Sequence, residues 1–155
     1  MDYDIRMLKP NELEEALCLV WEVFQEFEAP EYSEEGVEEF KVFIDPVSLR
    51  QKVGNNEFLI WGCFMNGKVI GVIASRPPCH ISLLFVDKQF HRKGLAKAMF
   101  NEVLSYYRSF TGYTEVTVNS SPYAAEAYRR MGFADTAEEQ EVNGIRFVPM
   151  KRSME

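Results

Sequence analysis

Histidine and cysteine are scarce in this chain, and their scarcity removes several chemistries at once. The 155 residues contain 2 histidines, His80 and His91, and 3 cysteines, Cys18, Cys63 and Cys79. An odd number of cysteines at no metal-ligand spacing supports neither a disulfide framework nor a zinc site, so no metal is expected. Basic residues are few as well: 17 Lys and Arg against 24 Asp and Glu give a net charge of −7. A nucleic acid partner requires a basic surface to neutralise its phosphates, so none is expected. No apolar run approaches 18 residues and the N-terminus is acidic, which argues against a membrane span or a signal peptide and for a cytoplasmic protein. No repeat, low-complexity tract or Pro/Gly/Ser linker divides the chain, so residues 1–155 read as a single domain.

What is present suits a packed core. Apolar residues make up 46% of the chain, with 12 Phe and 7 Tyr, enough for a chain of this length to bury about 70% of the surface its unfolded form exposes. Tyr3 to Lys9 reads as a first strand. Asn11 begins a helix, with Glu14 completing a capping box. Leu13, Leu17, Val20, Phe24 and Phe27 then fall at spacings of 4, 3, 4 and 3, which builds one apolar face. Ser33 caps a second helix to roughly Phe43, and Asp45-Pro46 starts a short turn. Phe58 to Met65, Asn66-Gly67 and Lys68 to Ser75 form a hairpin. Pro77-Pro78 breaks the chain before a strand at Ile81 to Val86, and Gly94 to Phe110 has helical apolar spacing. Tyr113 to Asn119 is a further strand, parallel to the preceding one through a right-handed crossover. Ser121 caps a helix with Pro122 at its first position and Gly132 at its end. Asp135 to Lys151 closes the chain as a hairpin around Asn143-Gly144.

The turn His91-Arg92-Lys93-Gly94-Leu95-Ala96 lies where a strand passes into a helix. A helix start offers unpaired N–H groups and a partial positive charge, so this turn fits a phosphate or pyrophosphate. Gly94 has no Cβ to obstruct that approach, and Arg92 and Lys93 add charge. The turn has neither the ending of a P-loop nor the three glycines of a dinucleotide fingerprint.

These six residues resemble the Gln/Arg-x-x-Gly-x-Gly/Ala signature of the GNAT N-acetyltransferases, with His91 in place of the usual Gln or Arg. Val86-Asp87-Lys88-Gln89-Phe90 is similar to that family's approach to the turn, and Tyr128-Arg129-Arg130-Met131-Gly132-Phe133 to its Tyr-x-x-x-Gly-Phe ending. The resemblance implies an α/β fold: a central mixed, mostly antiparallel sheet with one parallel strand pair and helices on both faces. It implies acetyl-CoA as cosubstrate, with the pyrophosphate on His91, Arg92, Lys93, Gly94, Leu95 and Ala96. The pantetheine arm would lie along Leu84, Phe85 and Val86 and touch Asn119, and an amine, small molecule or peptide, would accept the acetyl group. The acting species would be a monomer or homodimer. A noncatalytic acyl-CoA-binding or regulatory module of the same fold is the alternative.

Acetyl transfer to an amine needs a neutral nitrogen, and an amine of pKa about 10.4 is neutral about one time in a thousand near pH 7.4. His80, on a face shared with Ser82, Leu84 and Val86 by the two-residue period, is the candidate base, or else an ordinary hydrogen-bonded histidine. In the resembled family several members hold a base at its place. Tyr128 matches the family's proton donor to the coenzyme A sulfur; otherwise it is a core aromatic. Asn119 is a pantetheine contact or a strand-end turn residue. Cys79 beside His80 points to the opposite face and forms no dyad with it. Between Glu26 and Glu39 stand 7 glutamates and no basic residue, either a solvated helix face or an acidic rim that draws a cationic amine.

Overall fold

A computed structural model describes residues 2–155. Its strands are β1 (Asp4–Met7), β2 (Leu59–Met65), β3 (Lys68–Arg76), β4 (His80–Val86), β5 (Glu115–Ser120), β6 (Ala134–Asp135), β7 (Gln140–Val142) and β8 (Ile145–Ser153). Its helices are α1 (Leu13–Phe27), α2 (Glu34–Phe43), α3 (Pro46–Gly54), α4 (Leu95–Arg108) and α5 (Ala125–Arg130). The sheet runs β1-β2-β3-β4-β5-β8-β6, with β7 paired to β8. Every neighbouring pair is antiparallel except β4 with β5. The α/β class with a single parallel pair is thus the fold observed.

Each face of the sheet carries its own core. On one side Leu17, Val20 and Phe24 of α1 pack with Leu49 of α3 against Ile60, Val72 and Phe85. On the other Met99, Val103 and Tyr107 of α4 pack with Tyr128 of α5 against Trp61, Ile73 and Ile81. Helical spacing in α1 and α4 supplies these faces, and their burial contributes about 25 cal/mol per Å² of apolar surface.

Local sequence accounts for most of the boundaries. Asn66 and Gly67 both have positive φ, 52° and 79°, which suits the two-residue turn between β2 and β3. The Ser33 hydroxyl accepts from the Gly36 amide at 3.2 Å and starts α2. Three expectations need correction. The last helix is Ala125–Arg130 with Ala124 before it, so Ser121 and Pro122 precede the helix instead of forming its cap and first position. The first helix opens with a 3-10 turn at Pro10–Glu12, where Glu12, not Glu14, reaches back to the Lys9 amide at 2.9 Å. Asp45-Pro46 begins a helix of 9 residues rather than a short turn. The Asp45 carboxylate accepts from the Ser48 amide at 3.0 Å, but only Leu49 of this helix is buried, so the apolar periodicity is faint.

α2 meets the closing β7–β8 hairpin at Gly36 and Gly144, whose backbones approach so closely that a Cβ on either would collide with the other. That contact brings Ile145 to the wall of the cleft described next.

Candidate active site

The site follows from how little β4 and β5 share. Only His80↔Thr117 and Ile81↔Val118 pair, whereas on its other edge β4 stays with β3 as far as Gly71↔Val86. Beyond Ile81 the β5-facing edge of β4 therefore has no strand partner, and its peptide groups, apart from the Val86 carbonyl that His91 engages, are open to a ligand. A cavity of about 270 Å³ occupies the cleft, with Glu28, His80, Leu84, Phe85, Asn119 and Tyr128 among its walls.

A bulge rearranges β4 inside this cleft. Ser75 opposes Ile81 and Ala74 opposes Leu83, so Ser82 is the extra residue. One extra residue reverses the alternation that follows. Ile81, Leu84 and Val86 consequently pack toward the α4 core, while Leu83 and Phe85 pack toward the α1 core. The expectation that His80, Ser82, Leu84 and Val86 share a face is overturned, because Leu84 and Val86 lie on the side opposite His80. The Ser82 hydroxyl is buried at the cavity wall with no hydrogen-bond partner among the described residues.

His80 is half-buried, and its Nδ1 lies 2.8 Å from the Thr117 hydroxyl. Burial, and then the nearby Arg76 charge, push its pKa down to about 4. Tyr128 is 5% exposed and packs edge-on against Phe133, with ring centroids 5.3 Å apart. Burial, and then Glu28, hold its phenol well above the ordinary range. Asn119 sits exposed at the end of β5 and lines the cavity. Cys79 is buried, and burial pushes its thiol up to about 12, so it is no nucleophile near neutral pH.

The turn from His91 to Ala96 is open. The Gly94 φ is 80°, that of Arg92 is 61°, and no atom of the described residues apart from its chain neighbours lies within 4 Å of where a Cβ on Gly94 would stand. Leu95 and Ala96 begin α4, where amide groups have no helical carbonyl to bond. His91 is engaged structurally: its Nε2–H donates to the Val86 carbonyl at 2.7 Å and its ring packs 5.0 Å from that of Phe27. The side chain thus ties the turn to the end of β4.

Three site residues had no distinctive signal in the sequence: Ser82, Thr117 and Glu28. Glu28 stands in the acidic stretch, but no spacing sets it apart from its neighbours. It is half-buried at the C-terminal end of α1 and lines the cavity. Burial pushes its carboxyl up to about 8 against a hydrogen bond from Ser121, with Glu31 adding like charge. Glu34, Glu35, Glu38 and Glu39 are exposed along α2, which matches a solvated face.

The profile described as Acetyltransferase (GNAT) domain matches residues 28–154. The uncharacterized N-acetyltransferase YafP of Escherichia coli strain K12 is 29% identical over 99 residues, 64% of this chain and 59% of that relative, so the match spans less than two thirds of YafP. The PaiA N-acetyltransferase of Thermoplasma acidophilum, solved in complex with coenzyme A, superposes with a TM-score of 0.82 at 20% identity over 99% of both chains. A GCN5-related N-acetyltransferase of Rhodopseudomonas palustris gives a TM-score of 0.83 at 18% identity, covering 99% of this chain and 96% of the other. At such identities the superpositions speak for the fold.

Proposed function

Because this chain belongs to the GNAT acetyltransferase family, we propose that it moves an acetyl group from acetyl-CoA directly to a primary amine of a small molecule or peptide. The observation that carries this reading is the unpaired edge of β4 beyond Ile81, leading into the open turn at Gly94. Acetyl-CoA brings the activated thioester carbonyl. The backbone amides from Arg92 to Ala96 hold its pyrophosphate, helped by the positive end of α4, while His91 keeps the turn in place. Peptide groups of Leu84, Phe85 and Val86 take the pantetheine arm along the free edge, and Asn119 contacts it from β5. A free N–H there polarises the thioester carbonyl.

Tyr128 gives a proton to the departing sulfur. Burial that makes the phenol reluctant also raises a thiol, as the rise of Cys63 to about 11 and Cys79 to about 12 illustrates. The gap between donor and acceptor therefore grows less than the phenol's own rise. His80 stays neutral throughout the working range, and with Nδ1 on Thr117 its Nε2 is left to contact the acceptor amine. It is a poor final home for the amine's proton. Transfer from an amine near 10.4 to a group near 4 runs uphill by about 9 kcal/mol.

The test is a panel of amines assayed with acetyl-CoA and a thiol reagent, alongside calorimetry of coenzyme A binding. Binding with turnover of some amine supports the reading. Binding without turnover across the panel favours the noncatalytic module, and no binding removes both.

A further inference from the structure

We propose that Glu28 receives the ammonium group of the acceptor and takes its proton, and that the acceptor is a primary amine carried on an apolar, aryl-sized body. This rests on the acetyl-transfer reading above and assigns its acceptor end.

The backbone fixes Glu28 on both sides: its N–H donates to the Phe24 carbonyl at 2.9 Å and its own carbonyl accepts from the Glu31 amide at 2.9 Å. The short turn that follows is fastened across the cleft. The Tyr123 amide donates to the Glu31 carboxylate at 2.9 Å, and Arg146 donates to the Glu31 carbonyl at 3.2 Å. Of the glutamates between Glu26 and Glu39, Glu28 alone lines the cavity among the described residues. Phe40, Phe43, Phe85 and Ile145 form apolar walls of the same space. A carboxylate held in such surroundings is matched by a cation with N–H donors on an apolar body.

The groups around Glu28 leave that cation's place free. Glu31 and Tyr32 follow it in the chain, Tyr123 and Tyr128 face it from the α5 side, and His80 and Arg76 line the cavity on β4 and β3. Arg146, from β8, is paired with Glu139 at 2.9 Å. Among the described residues Glu28 is in no ion pair, although Arg76 lines the same cavity, and burial holds the carboxyl near 8, within reach of an amine's proton.

The step balances as follows. The ammonium passes one proton to the Glu28 carboxylate, and the freed lone pair attacks the thioester carbonyl. The C–N bond forms and the C–S bond breaks. Tyr128 protonates the sulfur and recovers a proton from the new amide nitrogen, and Glu28 releases its own to solvent. The products are amide, thiol and one proton.

The experiment uses the full chain saturated with coenzyme A, with phenethylammonium as probe and 2-phenylethanol as its neutral counterpart. Calorimetry is expected to show that Glu28→Gln weakens the ammonium on the order of tenfold to a thousandfold, leaves the alcohol unchanged, and that Glu34→Gln changes neither. In turnover of phenethylamine, kcat/KM of the parent levels off above about pH 8, whereas Glu28→Gln keeps rising toward the amine's own pKa. Equal ammonium affinity in Glu28→Gln and parent overturns the proposal, as does a parent that prefers the alcohol or binds neither probe. Turnover of polar amines alone would sink only this assignment; failure to bind coenzyme A would sink the acetyl-transfer reading beneath it.

Discussion

His80 Nδ1 and Thr117 Oγ1 stand 2.8 Å apart across the first of only two rungs that join β4 to β5. The bond closes one end of the cleft where the strands part, and it fixes the imidazole in a half-buried place that disfavours its charge. His80 titrates near 6.5 in the unfolded chain and near 4 in the fold. The unfolded state therefore takes up protons first as pH falls, so the histidine's contribution is complete above about 6.5 and is lost on descent through 4. Relative to His80→Gln, the parent is expected to lose on the order of 3 kcal/mol over that window, read by urea unfolding at several pH values. A constant difference between the two proteins would contradict the burial argument.

Glu28 behaves with the opposite sign. Its carboxyl ionises near 4.5 when unfolded and near 8 when folded. Its contribution is complete below 4.5 and is lost as pH rises through 8. Glu28→Gln is expected to match the parent in acid and to exceed it by on the order of 5 kcal/mol in mild alkali. Thermal unfolding at the two extremes reads this directly. A stabilised variant that has lost amine binding would mark a residue kept for function at a cost in stability.

At Gly94 a Cβ would meet no atom of the described residues within 4 Å apart from its chain neighbours, so Gly94→Val threatens the ligand more than the fold. Its positive φ makes the change cost about 1–2 kcal/mol of stability. Coenzyme A affinity is expected to fall well beyond that, because the branched side chain stands where the pyrophosphate approaches the backbone. Calorimetry with coenzyme A at a temperature where the variant is folded decides it, and an unchanged dissociation constant would move the pyrophosphate elsewhere.

Tyr128→Phe keeps the ring packed on Phe133 and removes the proton. With an acceptor that turns over, kcat is expected to drop on the order of 10² to 10⁴ while coenzyme A affinity stays within a few-fold. Full kcat in this variant would assign protonation of the sulfur to water.

Features governed by near neighbours in the chain were legible in the sequence. Asn66-Gly67 announces its turn because few residue pairs tolerate two positive φ values, and Ser33 announces α2 because its hydroxyl bonds an amide three residues on. The strand-to-helix turn at Gly94, the parallel partner of β4 and the position of Tyr128 before Gly132 are likewise local pattern or simple connection order. α3 was underread because a helix with one buried side chain carries almost no periodicity. What tertiary structure decided depends on pairing and burial between distant segments. The bulge at Ser82 exists only in the register of β4 against β3, and that single residue moves Leu84 and Val86 to the face opposite His80. His80 owes its low basicity, and Glu28 its high pKa, to walls that α1, β4 and the α5 turn form together. Desolvation is a property of the assembled cleft, and no run of residues along the chain contains it.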